Sequence, residues 1–296
     1  MQLPTSIETH LRDLIIEISG KTTVDLRCRP AAGGSINEAA AVSADGLTLF
    51  VKWNHAQRYP GMFEAEARGL KLLGEQGGAL VPGVLGTGDD AQWSWLILEH
   101  IEPGHATTES ADRFGAILAR LHRNTAPTFG LDHDNYMGSL IQTNTYHSTW
   151  HEFYIQQRLL PQVRIARDEG NLSGEDVRAF DTLFGQLQSI FPDEPPALVH
   201  GDLWSGNYLT SAENHTYLID PAVAYGHREV DIAMSRLFGG FPARFYQSYN
   251  LHFPMVAGWE SRIEIFQLYP LLIHVNLFGG GYVQSVKGIL RKFRHR

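Results

Sequence analysis

The stretch LVHGDLWSGNYL, residues 198–209, begins like a buried strand and is then interrupted by polar side chains. Asp202 and Asn207 lie within it, with four residues between them, so both side chains fall on one tight loop after the strand. A buried carboxylate costs several kcal/mol unless another group pairs with it. Asp202 is therefore either solvated on a turn or retained for chemistry.

A second acidic side chain follows the next strand-like run, TYLID, which ends at Asp220. The pattern places Asp202, Asn207 and Asp220 at the ends of two neighbouring strands. Phosphoryl transfer uses such a set: one carboxylate accepts the proton of the acceptor hydroxyl, while an amide and a second carboxylate hold Mg²⁺ on the phosphates. The alternative is two solvated turns with capping side chains. The three residues together favour Asp202 as the catalytic base and Asn207 and Asp220 as metal ligands.

A lysine and a glutamate precede this set in the chain. Lys52 alternates out of the apolar run LTLFVKW, and Glu66 lies fourteen residues later on a helical segment. A strand lysine is commonly a solvated edge residue, but one held by a helix glutamate directs its ammonium group at nucleotide phosphates. Glu64 competes for this role. Glu66 is favoured because the apolar residues three before it and four after it place it on the inward face.

Two further segments are candidates for nucleotide contacts. Residues 31–39, AAGGSINEA, lie between two predicted strands, and backbone amides of such a loop can cover phosphates. An ordinary hairpin turn is the alternative for this loop, whose candidate residues are Gly33, Gly34 and Ser35. Residues 96–104, LILEHIEPG, leave the predicted sheet, and Glu99 and Ile101 offer backbone groups to adenine. The alternative there is a buried strand and a turn.

Composition limits the classes of protein and partner. The chain has 296 residues, 43% hydrophobic and 19% charged, with a formal net charge of −8, so a nucleic-acid partner is not expected. Cys28 is the single cysteine, which excludes an intrachain disulfide and is typical of a reducing compartment; a structural role near a strand is expected for it. No apolar run approaches the roughly 20 residues of a membrane span, and the start lacks the basic segment of a signal peptide. These features predict a cytoplasmic protein.

The order of elements predicts an α/β (α+β) fold in two lobes. Residues 1–103 read as an amphipathic helix, a three-stranded antiparallel meander, a second helix and two more strands. Residues 104–296 read as mainly helical, with predicted N-caps at Ser110 and Ser173. The first range is expected to form a nucleotide-binding lobe and the second a catalytic and substrate-binding lobe, with ATP between them.

With these residues placed, the chain resembles the aminoglycoside and choline kinase-like phosphotransferases, which are small-molecule relatives of protein kinases. More narrowly, it resembles the fructosamine (ketosamine) kinases. The Trp204 that follows HGDL is the most specific feature. The other matching segments are KWN, MFEAEARGL, GSLIQTNTYHSTWHEFYIQQRLLPQ, IDPAVAYGHREVDIAMSRLFGGFP and HVNLFGGGY.

The resemblance implies an ATP-dependent, Mg²⁺-dependent kinase with Asp202 as base and Trp204 beside the acceptor. The acceptor of this family is a ketosamine, a sugar joined to an amine after Amadori rearrangement, and phosphate goes to O3 of the sugar. The product then breaks down and frees the amine, which amounts to deglycation of protein lysines or of small amines. Asp231 is expected to support the catalytic loop through hydrogen bonds, and His200 to position it.

Other acceptors remain open at this point, namely an aminoglycoside, choline, homoserine or a thiosugar. Aromatic and amide residues in the C-terminal half, among them Trp204, Tyr225 and Asn276, favour a sugar of modest charge and are candidate substrate contacts. A non-catalytic binding module is the alternative from another class, but such proteins usually lose the base or a metal ligand. The identity of the sugar and amine, and the oligomeric state, are not predicted.

Overall fold

The computed structural model describes residues 2–21, 24–31 and 36–293. Its N-terminal part contains a five-stranded antiparallel sheet with the strand order β1-β2-β3-β5-β4 and two helices. The elements are α1 (Thr5–Ser19), β1 (Arg27–Pro30), β2 (Glu38–Ala44), β3 (Leu47–His55), α2 (Met62–Glu75), β4 (Val84–Asp89) and β5 (Trp93–Glu99). The predicted small antiparallel-sheet lobe is therefore confirmed, and Cys28 lies in β1.

The two faces of this sheet receive different helices. Ile97 of β5 packs in a cluster with α1, whereas its neighbours Leu96 and Leu98 pack against α2, as the two-residue period of a strand requires. The turn between β2 and β3 places Asp45 and Gly46 at φ values of 54° and 86°, the left-handed pair that a tight hairpin needs.

The C-terminal part is mainly helical, as predicted. Its helices are α3 (Thr108–Leu121), α4 (Trp150–Phe153), a π-helical turn (Tyr154–Leu159), α5 (Leu160–Asp168), α6 (Gly174–Phe184), α7 (Leu187–Ile190), α8 (Glu229–Met234), α9 (Ala243–His252), α10 (Trp259–Phe278) and α11 (Gly281–Phe293). Three two-stranded sheets accompany them: β6 (Asn135–Met137) with β7 (Leu140–Gln142), β8 (Ala197–Val199) with β11 (Ala224–Gly226), and β9 (Tyr208–Thr210) with β10 (Thr216–Leu218). Over the described part of the chain, no helix is both long and apolar enough to cross a membrane.

One predicted helix start was wrong. Helix α3 begins at Thr108, and its cap is Thr107 rather than Ser110. The Thr107 hydroxyl accepts from the Ser110 amide (3.1 Å), and the Ser110 hydroxyl accepts from the Thr107 amide (2.8 Å). Ser110 thus fills the third position of a capping box, where glutamate or glutamine is usual. The predicted cap at Ser173 is confirmed, because its hydroxyl accepts from the Asp176 amide.

Helix α10 carries a proline in its interior, and a tyrosine hydroxyl from the π-helical turn replaces the hydrogen-bond donor that the proline lacks. Pro270 has no N–H, so the Phe266 carbonyl four residues earlier lacks its helical donor. The Tyr154 hydroxyl donates to that carbonyl (3.2 Å) and to the Ile265 carbonyl (2.7 Å). The π-helical turn that begins at Tyr154 therefore adjoins a continuous α10.

A buried ion pair joins α8 to α10. Glu229 is fully buried, and Arg262 donates to its carboxylate from Nε at 2.9 Å. Removing one partner of such a pair leaves an uncompensated buried charge, which costs far more than losing an exposed pair.

We predict that Arg262→Met lowers the free energy of unfolding by about 3–5 kcal/mol, because Glu229 is left charged and unpaired. The matched control is Lys292→Met, which breaks the exposed pair with Glu264 and should cost less than about 1 kcal/mol. Urea unfolding of both variants measures the two costs. Equal losses would contradict the role given to the buried pair.

Candidate active site

A cleft of about 440 Å³ lies between the sheet and the helical part. Lys52 and Glu66 reach it from β3 and α2. Asp202, Asn207 and Asp220 reach it from loops that follow β8 and β10. The fold thus brings together five residues that are far apart in the sequence.

The Lys52 ammonium group is buried between two carboxylates. It donates to Glu66 Oε1 (2.8 Å) and also contacts Asp220. Glu66, rather than the exposed Glu64, is therefore its helix partner. Burial lowers the pKa of Lys52, but Asp220 and Glu66 outweigh it, so that the net pKa is raised. The lysine stays protonated and joins α2, β3 and the segment after β10.

Asp202 and Asn207 close the loop that joins β8 to β9. Asn207 Nδ2 donates to the Asp202 backbone carbonyl and to its carboxylate, both at 2.9 Å. Burial and the nearby Asp220 carboxylate raise the pKa of Asp202 to about 7, although the Asn207 hydrogen bond opposes them. A carboxylate with a pKa near neutrality is suited to proton transfer at physiological pH.

The backbone of this loop is held from α8. Asp231 accepts from the His200 amide (2.7 Å) and from the Gly201 amide (2.9 Å). Burial raises the pKa of Asp231, but the hydrogen bond and charge of His122 outweigh it, and the net pKa is lowered. Asp231 is thus an anion with hydrogen-bond partners, and the contacts expected of it are confirmed.

His200 holds the same loop from its other side. Its Nε2 donates to the Ile219 carbonyl (2.9 Å), which leaves Nδ1 to accept from the Asp202 amide (3.3 Å). Burial lowers the pKa of His200, so the ring is neutral at pH 7. The imidazole therefore links the catalytic loop to the strand that ends beside Asp220.

Backbone geometry brings the two loops into direct contact. Gly201 has φ +86°, and a Cβ there would lie 2.0 Å from the Ala222 carbonyl oxygen, so only glycine fits. The Ala222 amide donates to the His200 carbonyl (2.9 Å). Asp220 itself has φ 55°, a left-handed conformation that non-glycine residues adopt at some cost and that often marks a functional site.

The oxygen donors of the cleft suit a magnesium ion shared with a nucleotide. No group of three or more His, Cys, Asp or Glu side chains is placed to hold a metal among residues 2–21, 24–31 and 36–293. Mg²⁺ is commonly bound by one or two protein oxygens together with phosphate oxygens. Asn207 donates through its amide nitrogen to Asp202, and its amide oxygen takes no part in that bond.

Two predicted substrate residues do not line the cleft, and the structure corrects them. The Tyr225 hydroxyl donates to Gln76 Oε1 (3.1 Å) at the end of α2. Asn276 donates to Gln162 Oε1 (2.8 Å) on α5, because it lies on the face of α10 that packs on that helix. Trp204 does line the cleft; it is exposed at the mouth, with Phe238 edge-on to its ring.

The predicted nucleotide contacts are described only in part. Gly33, Gly34 and Ser35 lie outside the described residues. The Glu99 amide already donates to the Gly83 carbonyl (2.8 Å), so it is not a donor for adenine. Ile101 lies beyond the end of β5, in the segment that leads to α3.

Sequence reasoning missed part of the cleft wall. His274 on α10 lines the cleft, and its ring lies 4.9 Å from that of Tyr282 and 4.8 Å from that of Phe238. Burial lowers the pKa of His274, so this wall is aromatic and uncharged at pH 7. The segment HVNLFGGGY was a signal for it, but the second half of α10, LYPLLIHVNLF, is apolar at almost every position and gives no period that marks the cleft face.

Comparison with known proteins identifies the family. The model of the fructosamine kinase family matches residues 7–296. The chain belongs to the fructosamine kinase family. It is 37% identical to the "Probable ketoamine kinase" of Enterococcus faecium, over 97% of this chain and 99% of that protein. It is also 37% identical to the chloroplastic protein-ribulosamine 3-kinase of Arabidopsis thaliana, over 96% of this chain and 87% of that protein.

Solved structures agree with this assignment. A "putative fructosamine-3-kinase" from Thermobifida fusca superposes with a TM-score of 0.83 at 40% identity, over 95% of this chain and 98% of that one. The aminoglycoside phosphotransferase APH(4)-Ia superposes with a TM-score of 0.62 at 15% identity, over 96% of this chain and all of that one, which shows a shared fold alone. The fold is protein-kinase-like, and this fructosamine kinase family member is an ATP-dependent kinase.

The raised pKa of Asp202 predicts a pH-dependent cost to stability. The folded state binds the Asp202 proton more tightly than the unfolded chain, where an aspartate titrates near pH 4, so stability falls as pH rises from about 4 to about 7. Without nucleotide or metal, Asp202→Asn should therefore melt a few degrees above the wild type at pH 8. This difference should shrink steadily as pH falls from 7 to 4.

Thermal unfolding across this pH range measures the effect. The matched control is Asp193→Asn, which removes an exposed carboxylate outside the cleft, and the melting temperature of Asp202→Asn is compared with it at each pH. If the difference in melting temperature between Asp202→Asn and the wild type stayed constant from pH 4 to pH 8, the Asp202 carboxylate would titrate as an ordinary aspartate.

Proposed function

We propose that this kinase transfers the γ-phosphoryl group of ATP to the O3 hydroxyl of the sugar in a ketosamine. The observation that carries the proposal is the convergence of Lys52, Asp202, Asn207 and Asp220 in one cleft of a fructosamine kinase family member. The relatives named ketoamine kinase and protein-ribulosamine 3-kinase support the acceptor class and the position of transfer.

Asp202 is the base in this proposal. Its carboxylate accepts the proton of the acceptor hydroxyl as the hydroxyl oxygen forms a bond to the γ-phosphorus atom. The bond between that phosphorus and the bridging oxygen breaks, and ADP leaves with the electron pair. A base pKa near 7 allows Asp202 to be deprotonated before the acceptor binds and to hold the proton afterwards.

Charged side chains orient the nucleotide. Lys52, held by Glu66, would bind the α- and β-phosphates, as strand lysines do in kinases. Asn207 and Asp220 would hold Mg²⁺, which neutralises phosphate charge when bound. The loop at Gly33, Gly34 and Ser35 would cover the phosphates through its backbone amides, and the Glu99 carbonyl and Ile101 amide would contact adenine.

The acceptor site lies at the aromatic mouth of the cleft. Trp204 offers an indole face on which the C–H groups of a sugar ring can pack. Apart from Glu66, Asp202 and Asp220, the described residues that line the cleft carry no carboxylate. A polycationic aminoglycoside needs a strongly acidic site, so the lining supports a sugar of modest charge instead.

The two parts of the chain have separate tasks in this proposal. Residues 1–103 form the nucleotide-binding lobe, and residues 104–296 form the catalytic and acceptor-binding lobe. The acceptor is a small ketosamine or a glycated protein lysine. Breakdown of the 3-phosphate would free the amine, so the biological activity would be deglycation.

An acceptor assay with Mg²⁺-ATP tests the proposal. Ribulose-lysine and fructose-lysine are offered beside choline and kanamycin, and NMR locates the phosphate. We expect phosphate on O3 of a ketosamine, and a loss of at least about a hundredfold in kcat for Asp202→Ala with nucleotide binding retained. Turnover of choline or kanamycin alone would contradict the acceptor class, and full activity of Asp202→Ala would remove this residue from the mechanism.

The Lys52–Glu66 pair gives a second prediction. Glu66→Gln should lower kcat/KM for ATP by at least about tenfold, because a charge-assisted hydrogen bond that fixes the ammonium group is lost. Glu64→Gln, two residues away on the same helix and exposed, is the matched control and should leave the value unchanged. Steady-state kinetics with varied ATP measure both variants. Equal kcat/KM values for Glu66→Gln and Glu64→Gln would show that the ion pair has no part in nucleotide use.

A further inference from the structure

The hairpin formed by β6 and β7, residues 135–142, has no role in the function proposed so far. Within the described residues it pairs with no other strand, and its strand β6 contacts both α2 and the segment that follows Asp220. Its Tyr136 hydroxyl donates to the Pro60 carbonyl (3.0 Å) just before α2. Its sequence includes the start of the GSLIQTN motif, and two of its side chains are buried amides, Asn135 and Gln142.

Both amides hold the backbone that follows Asp220. Asn135 Nδ2 donates to the Val223 carbonyl (2.8 Å), and Gln142 Nε2 donates to the Ala222 carbonyl (3.2 Å). These carbonyls lie two and three residues beyond Asp220, with Pro221 between. Because Pro221 has a fixed φ, the short link between Asp220 and Ala222 has less freedom, and we expect a displacement of Ala222 to shift Asp220.

The two amides are themselves fixed. Gln142 Nε2 also donates to Asn135 Oδ1 (2.8 Å), and the Tyr269 hydroxyl donates to Gln142 Oε1 (2.9 Å). Asn144 Nδ2 donates to Asn135 Oδ1 (3.1 Å), and Asn144 Oδ1 accepts from Arg158 (2.6 Å). A buried polar network with its partners in place is rigid and specifies one geometry.

The opposite edge of the same segment is bonded to the catalytic loop. The Ala222 amide donates to the His200 carbonyl, and Gly201 packs directly on the Ala222 carbonyl. Residues 221–223 are therefore held from both sides. A residue in a sparsely populated conformation persists only where its surroundings impose it, and Asp220 at φ 55° is such a residue.

We infer that Asn135 and Gln142 are positioning residues for Asp220, whose carboxylate they keep beside Lys52 and the proposed metal site. The inference rests on the proposed function, because that function makes Asp220 a metal ligand whose position has to be fixed. Loss of either amide lets the segment 220–223 move, and the metal then contributes less to nucleotide binding. Hydrogen bonds to the residues that orient a metal ligand commonly affect metal affinity in this way.

The first test measures the segment without nucleotide or metal. Hydrogen exchange of peptides that cover residues 216–224 is compared in the wild type, Asn135→Leu, Gln142→Met and Ile141→Ala. The first two variants should exchange faster in this segment. Ile141→Ala is the matched control: it shortens an exposed side chain of the same hairpin and leaves both amides and their partners in place, and the segment should exchange at the wild-type rate.

The second test measures the coupling between metal and nucleotide. The dissociation constant of a non-hydrolysable ATP analogue is determined by calorimetry with and without Mg²⁺, and the ratio of the two is the coupling. Asn135→Leu and Gln142→Met, which remove the amides without adding charge, should reduce this ratio by about threefold to tenfold, the equivalent of one buried hydrogen bond. The affinity for the nucleotide without metal should not change in either variant, and the ratio for Ile141→Ala should equal that of the wild type.

The outcomes separate this inference from the proposed function. An unchanged ratio of dissociation constants in both variants would overturn the inference. If the melting temperature alone fell, the amides would be merely structural. If the wild type shows no metal coupling, or if Asp220→Ala keeps it, the metal role of Asp220 fails instead, and hydrogen exchange alone decides whether the hairpin holds the segment. Should Gln142→Met fail to fold, Gln142→Glu preserves the shape and the Tyr269 contact.

Discussion

The buried ammonium group of Lys52 is the interaction on which the site depends. It joins three separate pieces of the fold, because Glu66 comes from α2 and Asp220 from the helical part. The charges of Lys52 and Glu66 would each be costly to bury alone, and the partly exposed Asp220 adds a second anionic partner, so the three hold one another in register. Gly69 of α2 allows the helix to approach the same segment, since a Cβ there would lie 2.9 Å from Val223 Cγ2. The distance between the lobes is thereby set where a nucleotide would bind.

The catalytic loop is arranged by charges that do not enter the cleft. Asp231 is fully buried and binds two successive backbone amides, while His200 ties the loop to the strand that leads to Asp220. Asp202 is different, because its only side-chain donor among the described residues is Asn207, and its pKa is raised. The fold thus gives Asp231 its hydrogen-bond partners and leaves the charged form of Asp202, the proposed base, destabilised, a common division at active sites.

Much of this could be predicted from the sequence, for physical reasons that can be named. The alternation of apolar and polar residues predicted the strands. Asp202, Asn207 and Asp220 do lie on the loops that follow β8 and β10, but these two strands belong to different two-stranded sheets and are not paired with each other. Tyr225 and Asn276 were misplaced because residue type says nothing about which face of a strand or helix meets the cleft. No signal in the sequence indicated the proposed roles of Asn135 and Gln142, since polar residues in two three-residue strands have the same pattern as an ordinary solvated loop.

A crystal structure with Mg²⁺, a non-hydrolysable ATP analogue and a ribulosamine would test the central claim most directly. The account predicts that the γ-phosphate lies beside Asp220 and Asn207, with the sugar O3 within hydrogen-bond distance of the Asp202 carboxylate and in line for attack. Lys52 should remain paired with Glu66 and contact the phosphates. A nucleotide bound with its phosphates away from Lys52, or another hydroxyl beside Asp202, would contradict it.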